Sequence, residues 1–134
     1  MLKNYKNFKE EIVIDFQGIS GYQFSQDCIT DGIISKMLIY GRNATGKTNL
    51  GRALTDIKKT MLGIGYYLGK REILNADSTE DSARFTYEFK FGEQTLVYQY
   101  AKFSDQDLKE EKLIIDNQLI FECDFEQKNI ILKT

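Results

Sequence analysis

The chain has 134 residues, 42% hydrophobic and 13% aromatic, with 18 basic against 20 acidic side chains and a net charge of −2. That is enough chain for one domain with a real core, too apolar for wholesale disorder, and too evenly charged to present a broad electrostatic footprint for nucleic acid. No histidine is present, so serine–histidine, cysteine–histidine and histidine–metal chemistries are excluded for this chain by itself.

In chain order, Glu11–Phe16 predicts a strand with Ile12, Ile14 and Phe16 on one face. Residues 17–32 carry Gly18, Gly21 and Gly32 among polar residues and suit a loop. Ile34–Tyr40 is short and mostly apolar, suited to a buried strand. A helix follows from about Thr45 to Leu62, because Leu50, Ala53, Leu54, Ile57 and Met61 fall on one helical face and Gly63-Ile64-Gly65 can stop it. Tyr66–Leu74 suits a second short helix, and the polar, acidic residues 75–82 an exposed loop.

The hydrophobic period then changes from 3.6 to 2. Phe85, Tyr87, Phe89 and Phe91 alternate with polar residues, the cleanest strand signal in the chain. Gly92-Glu93-Gln94 turns that strand, and Thr95–Phe103 returns with Leu96, Tyr98 and Tyr100 on one face. Lys112–Ile115 and Leu119–Cys123 predict a further hairpin turned at Asp116-Asn117-Gln118. The aromatic stripe reads as core packing and not as a base-stacking platform, since its interleaved partners include as many acids as bases. Residues 129–134 begin another strand, an ending that reads as a chain cut short. Cys28 and Cys123 lie far apart without metal-type spacing and read as free, buried thiols of a reducing compartment. The polar, lysine-rich N-terminus lacks a signal-peptide apolar region, and no run approaches the roughly 18 apolar residues of a membrane span. A cytoplasmic protein with no membrane partner is the expectation.

The most informative segment is Gly41-Arg42-Asn43-Ala44-Thr45-Gly46-Lys47-Thr48, a full match to the phosphate-binding pattern G-x-x-x-x-G-K-[S/T]. The two glycines permit a tight turn whose N–H groups face phosphate oxygens. Lys47 suits the β- and γ-phosphates of ATP, and the Thr48 hydroxyl suits Mg²⁺. Residues Gly41, Arg42, Asn43, Ala44, Thr45, Gly46, Lys47, Thr48 and Asn49 are therefore the candidate cofactor-binding set. Asn43 could meet the γ-phosphate or brace the loop's own turn. A working ATPase of this kind also needs an acid at the end of an apolar strand. Leu113-Ile114-Ile115-Asp116 imitates that pattern, but Asp116 falls where a hairpin needs its turn. Ile12-Val13-Ile14-Asp15 imitates it too, but precedes the loop. No catalytic residue is assigned in this chain.

Met37–Leu54 resembles the "IYG-x-NASGKSNLL-x-AL" stretch of the ABC-like ATPase group related to SMC, RecF and OLD proteins, often described as AAA-type ATP-binding proteins. Asn4–Glu10 is similar to the "NFRSFKD" start of that group, with Tyr5 and Lys6 in its Phe and Arg positions; Lys6 there either approaches the nucleotide or is simply solvated. Tyr87–Phe91, Tyr98–Tyr100 and Glu111–Leu113 resemble its β-region. The resemblance implies an α/β fold, the N-terminal lobe of a P-loop NTPase head spanning 1–134, with a mixed, largely antiparallel sheet packed on the P-loop helix. It implies truncation before the signature and Walker B motifs, and partnership with the remainder of the head. It also implies an ATP-dependent homodimer of two heads, serving DNA repair, a nuclease or antiphage defence. Two other readings stay open: a non-catalytic nucleotide-binding or interaction module, and a small P-loop kinase.

Overall fold

In the computed structural model, which describes residues 1–21, 23–64 and 73–133, the alternating C-terminal half forms the framework. Strands β4 (Ala83–Phe91), β5 (Gln94–Lys102), β6 (Leu108–Ile115), β7 (Gln118–Asp124) and β8 (Asn129–Leu132) run as a meander. With β1 (Leu2–Lys3) added beside β4, the order is β1-β4-β5-β6-β7-β8 in one six-stranded sheet. Every pairing in it is antiparallel. Short turns explain this topology, because a two-residue connection can only return a strand beside its predecessor. Gly92 (φ 60°) supplies one such turn. Asp116 (φ 47°) and Asn117 (φ 63°) supply the other, the two positive φ values that a type I′ hairpin demands. A separate two-stranded ladder pairs β2 (Ile29–Thr30) with β3 (Ile33–Ile34).

Besides a short 3-10 turn at Gln26–Cys28, the remaining regular element among the described residues is α1 (Lys47–Leu62). Gly63 ends it in the left-handed conformation. The Gly63 N–H donates to the Thr60 carbonyl and the Ile64 N–H to that of Lys59, the Schellman pattern glycine favours. The buried face of α1 differs from the predicted one. Ala53 and Asp56 are buried and Ile57 packs on the core, while Leu54 and Met61 face outward. A charge–dipole network sets this rotation. Asp56 (5% exposed) accepts from Lys102 Nζ of β5 (3% exposed) at 2.8 Å and from the Tyr100 hydroxyl at 2.7 Å. Tyr87 donates to the Ala53 carbonyl at 2.6 Å. A buried carboxylate is tolerated only when paired and hydrogen-bonded, so the helix turns Asp56 toward the one strand that carries its partner.

The core lies where α1 and the N-terminal segment meet β4 and β5. Phe85 (1% exposed) is its centre, stacked on Tyr100 with centroids 4.9 Å apart and meeting Tyr5 edge-on at 5.3 Å. The aromatic stripe of β4 is core at that end only. Phe89 is partly exposed and Phe91 is 63% exposed.

The expected α/β class and P-loop head lobe are therefore corrected. The sheet is antiparallel throughout, with a single helix against it among the described residues, and contains no parallel pair. The expected buried strand Ile34–Tyr40 reduces to Ile33–Ile34, and Met37, Leu38, Ile39 and Tyr40 are exposed, Leu38 at 85% and Tyr40 at 88%. A parallel sheet needs a partner strand reached by a long crossover. Among the described residues each long strand is instead paired with its sequence neighbours, and none pairs with residues 35–40. The expected strand Glu11–Phe16 is likewise reduced to one bridge, Leu2 to Ile12, although Ile12, Ile14 and Phe16 do alternate with exposed neighbours. Residues 66–72 of the expected second helix lie outside the described residues. The two β-hairpins, the end of α1 and the final strand fall where the period-2 and glycine signals put them. Among the described residues no helix is long and apolar enough to cross a membrane.

Candidate functional site

The glycine-rich segment leads straight into α1. Gly46 is the residue before the helix, at φ 97° and ψ 4°, a conformation in which a side chain is strained. The first intrahelical hydrogen bond runs from the Leu50 N–H to the Gly46 carbonyl at 2.8 Å. The N–H groups of Lys47, Thr48 and Asn49 thus precede the ladder and point off the helix start, with the positive end of the helix dipole behind them. No acidic residue occupies this first turn, so the local field there favours an anion.

The loop ahead of the helix is folded back on itself. Lys47 Nζ donates to the carbonyls of Gly41 at 2.8 Å and Arg42 at 2.6 Å, and the Thr45 hydroxyl donates to the Arg42 carbonyl at 2.9 Å. Ala44 sits at φ 63°. Together these contacts hold residues 41–46 as a turn closed over by the lysine. Gly41–Thr45 and Thr48 are exposed, and Gly46, Lys47 and Asn49 half-buried. All nine sequence-derived residues, Gly41 through Asn49, therefore fall in one continuous loop and helix start.

The N-terminal turn touches this loop through Asn7, a residue the sequence did not single out. Asn49 Nδ2 donates to Asn7 Oδ1 at 2.8 Å, and a Cβ built on Gly46 would lie 2.2 Å from Asn7 Nδ2. The signal that could have suggested it was the asparagine-rich start, Asn4 and Asn7, which suits turns and side-chain capping. The buried pair Asp56–Lys102 was missed as well. Its signal was a carboxylate at position 56 amid the apolar periodicity of α1.

The donor set fits a Mg²⁺-bound polyphosphate: an ammonium at Lys47, three unladdered N–H groups, a left-handed glycine and an exposed threonine hydroxyl at Thr48. Asp116 is placed differently. Its carboxylate Oδ1 accepts the Thr95 N–H at 2.8 Å and its N–H donates to the Thr95 carbonyl at 2.9 Å, so it staples the β6–β7 turn to the start of β5. Among the described residues no group of three or more Cys, Asp or Glu is placed to hold a metal ion. Cys28 and Cys123 are free and half-buried. A concavity of about 270 Å³ lies away from the loop, on the sheet face that carries Arg84, Thr86, Gln99 and Lys112. Of its charges, Arg84 is paired with Glu110 and Lys112 with Glu122. Comparison with protein-family models, with curated proteins and with solved structures gives no match.

Proposed function

We propose that this chain binds ATP with Mg²⁺ through residues 41–49, and that it does so as the nucleotide-binding part of an ABC-like ATPase of the SMC/RecF/OLD-related kind. The observation that carries the first half is the coincidence of the motif with a helix that begins at Lys47 behind a left-handed Gly46. Lys47 would leave its carbonyl partners for the phosphates, the N–H groups of Lys47, Thr48 and Asn49 would donate to phosphate oxygens at the helix start, and Thr48 would ligate the metal. Bound Mg²⁺ supplies neutralisation of the phosphate charge. The second half rests on the sequence resemblance alone, since the antiparallel sheet is not the head lobe that resemblance implies. Under this reading the partners are the rest of an ATPase head and a second head joined through ATP, and the site of action is the cytoplasm. The output is DNA repair, nuclease function or defence.

Titration calorimetry with Mg·ATP tests the loop. Micromolar-range binding in the wild type that is lost in Lys47→Ala supports it, and equal affinity in the two proteins overturns it. The same chain is expected to release no phosphate above the Lys47→Ala background. Hydrolysis requires a carboxylate to orient water and a clamp on the far side of the γ-phosphate, and Asp116 is engaged with Thr95. Turnover abolished by Asp116→Asn would refute that expectation. A non-catalytic nucleotide-binding module remains the second reading, favoured by that same engagement of Asp116.

A further inference from the structure

The N-terminal turn is built more firmly than its position at a chain end requires. Tyr5 and Phe8 exchange backbone hydrogen bonds of 2.8 Å, which puts Lys6 and Asn7 at the tip. Asn4, fully buried, donates to the carbonyls of Glu80 at 3.1 Å and Ser82 at 3.0 Å, and its Oδ1 accepts the Asn75 N–H at 3.3 Å. Asn75 in turn donates to the Lys6 carbonyl at 2.6 Å, and the Lys6 N–H donates to the Ile73 carbonyl at 2.7 Å. Tyr5 packs its ring edge-on against Phe85 in the core. A relay of side-chain amides thus runs from the segment before β4, through Asn4 and Asn75, to the turn that carries Asn7.

At the end of that relay the Asn7 amide meets the two loop residues with most to lose from movement. It lies against the Cα of Gly46, where even a methyl group would meet Nδ2 at 2.2 Å and Cγ at 2.9 Å. Its Oδ1 holds the amide of Asn49 in the first turn of α1. Gly46 is consequently glycine for two separate reasons, its positive φ and the side chain pressed on it. The loop's own bonds, from Lys47 and Thr45, tie residues 41–47 only to each other. They do not fix the loop relative to the sheet.

We propose that Asn7 is a positioning residue of the phosphate site: anchored to the framework through Asn4 and Asn75, it holds Gly46 and Asn49 so that the N–H groups of Lys47, Thr48 and Asn49 converge on one anion. The proposal rests on the phosphate-binding reading of residues 41–49. It predicts a residue that matters to polyphosphate as such and not to the nucleoside, and that acts through Asn49.

The test is titration of Mg·ATP and of inorganic tripolyphosphate with Mg²⁺ into wild type, Asn7→Ala, Asn49→Ala, the double variant and Lys47→Ala. Melting temperatures and amide NMR spectra of each protein accompany the titrations. Loss of one positioning hydrogen bond should weaken both ligands about tenfold in Asn7→Ala, at an unchanged melting temperature because Asn7 is exposed. In the ligand-free spectrum the shifts should be confined to Gly46–Asn49 and the turn. The double variant should bind no more weakly than Asn49→Ala, since contacts within one network are not additive. Wild-type affinity in Asn7→Ala, a loss confined to ATP, or a lowered melting temperature with additive losses would each overturn the positioning role while leaving the phosphate site standing. Failure of both ligands to discriminate wild type from Lys47→Ala would overturn the phosphate reading and this proposal together.

Discussion

The β4–β5 end of the sheet and the loop of residues 35–46 are built on opposite plans. At the sheet end, nine residues of β4 pair in unbroken register with nine of β5, and Phe85, Tyr98 and Tyr100 are buried beneath α1 and the N-terminal segment. Dozens of weak apolar contacts add there, so no single hydrogen bond decides the structure. In the loop almost every side chain faces solvent, and a handful of bonds, from Lys47, Thr45 and the Asn49–Asn7 pair, do the holding. The helix α1 belongs to both regions: its middle is locked to β5 through Asp56, and its first turn is the loop's floor. On the proposed reading of the loop, stability and binding should accordingly separate by region, the sheet end governing whether the protein folds and the loop governing polyphosphate binding.

The most drastic way to break the sheet end is alkali. Burial raises the hydroxyls of Tyr87, Tyr98 and Tyr100 well above the ordinary tyrosine range, with Asp56 adding to it at Tyr87 and Tyr100 and Glu111 at Tyr98. Tyr5 is pushed up to about 12, by burial first and then by Asp56 and Asp105. A raised folded-state value means the native protein holds protons that the unfolded chain has released. The stabilisation is therefore complete below the unfolded value of about 10 and is lost as pH rises above it toward the folded value. Cooperative unfolding above pH 10, with tyrosinate absorbance appearing in the same transition as loss of circular dichroism, is expected. Tyrosinate absorbance complete before any structural change would contradict the burial.

Among substitutions, Phe85→Ala is expected to have the largest effect, about 3–5 kcal/mol in chemical denaturation, because it empties the centre of the core. Asp56→Ala should cost about 3 kcal/mol, chiefly by leaving Lys102 buried without its partner. The double variant Asp56→Leu with Lys102→Met should recover much of that loss. If the double variant is worse than Asp56→Ala, the pair contributes more than the relief of an unpaired charge. Lys47→Ala sharpens the contrast: it should remove polyphosphate binding while changing unfolding free energy by no more than about 0.5 kcal/mol. A large loss of stability there would mean that the loop is part of the folding unit. The smallest effect is expected for Arg84→Ala, whose half-exposed pair with Glu110 at 2.9 Å is worth about 0.5 kcal/mol or less, and less again in high salt.

Much of this was legible in the sequence, for identifiable reasons. The alternation of Phe85, Tyr87, Phe89 and Phe91 requires a strand, since only a period of 2 puts those rings on one face. The positions of Gly92, of Asp116-Asn117 and of Gly63 follow from residues that tolerate positive φ. The loop of residues 41–48 and the helix after it follow from a motif whose fixed residues each have a mechanical job. These are local properties, written within a few residues of where they act. What tertiary structure alone decided was pairing. Whether Met37–Tyr40 would be covered depended on a parallel partner, and the short turns between β4, β5, β6, β7 and β8 gave all those strands to one another. Which face of α1 would be buried depended on Lys102, 46 residues away from Asp56 in sequence, and a buried charge outweighs the apolar preference of Leu54 and Met61. That Asn7 would meet Gly46 and Asn49 depended on a chain of asparagine contacts spanning residues 4 to 82. Composition and period are carried by neighbours in the chain; partnership is settled only when distant segments compete for the same surface, and there the cost of an unpaired strand or an unpaired charge decides.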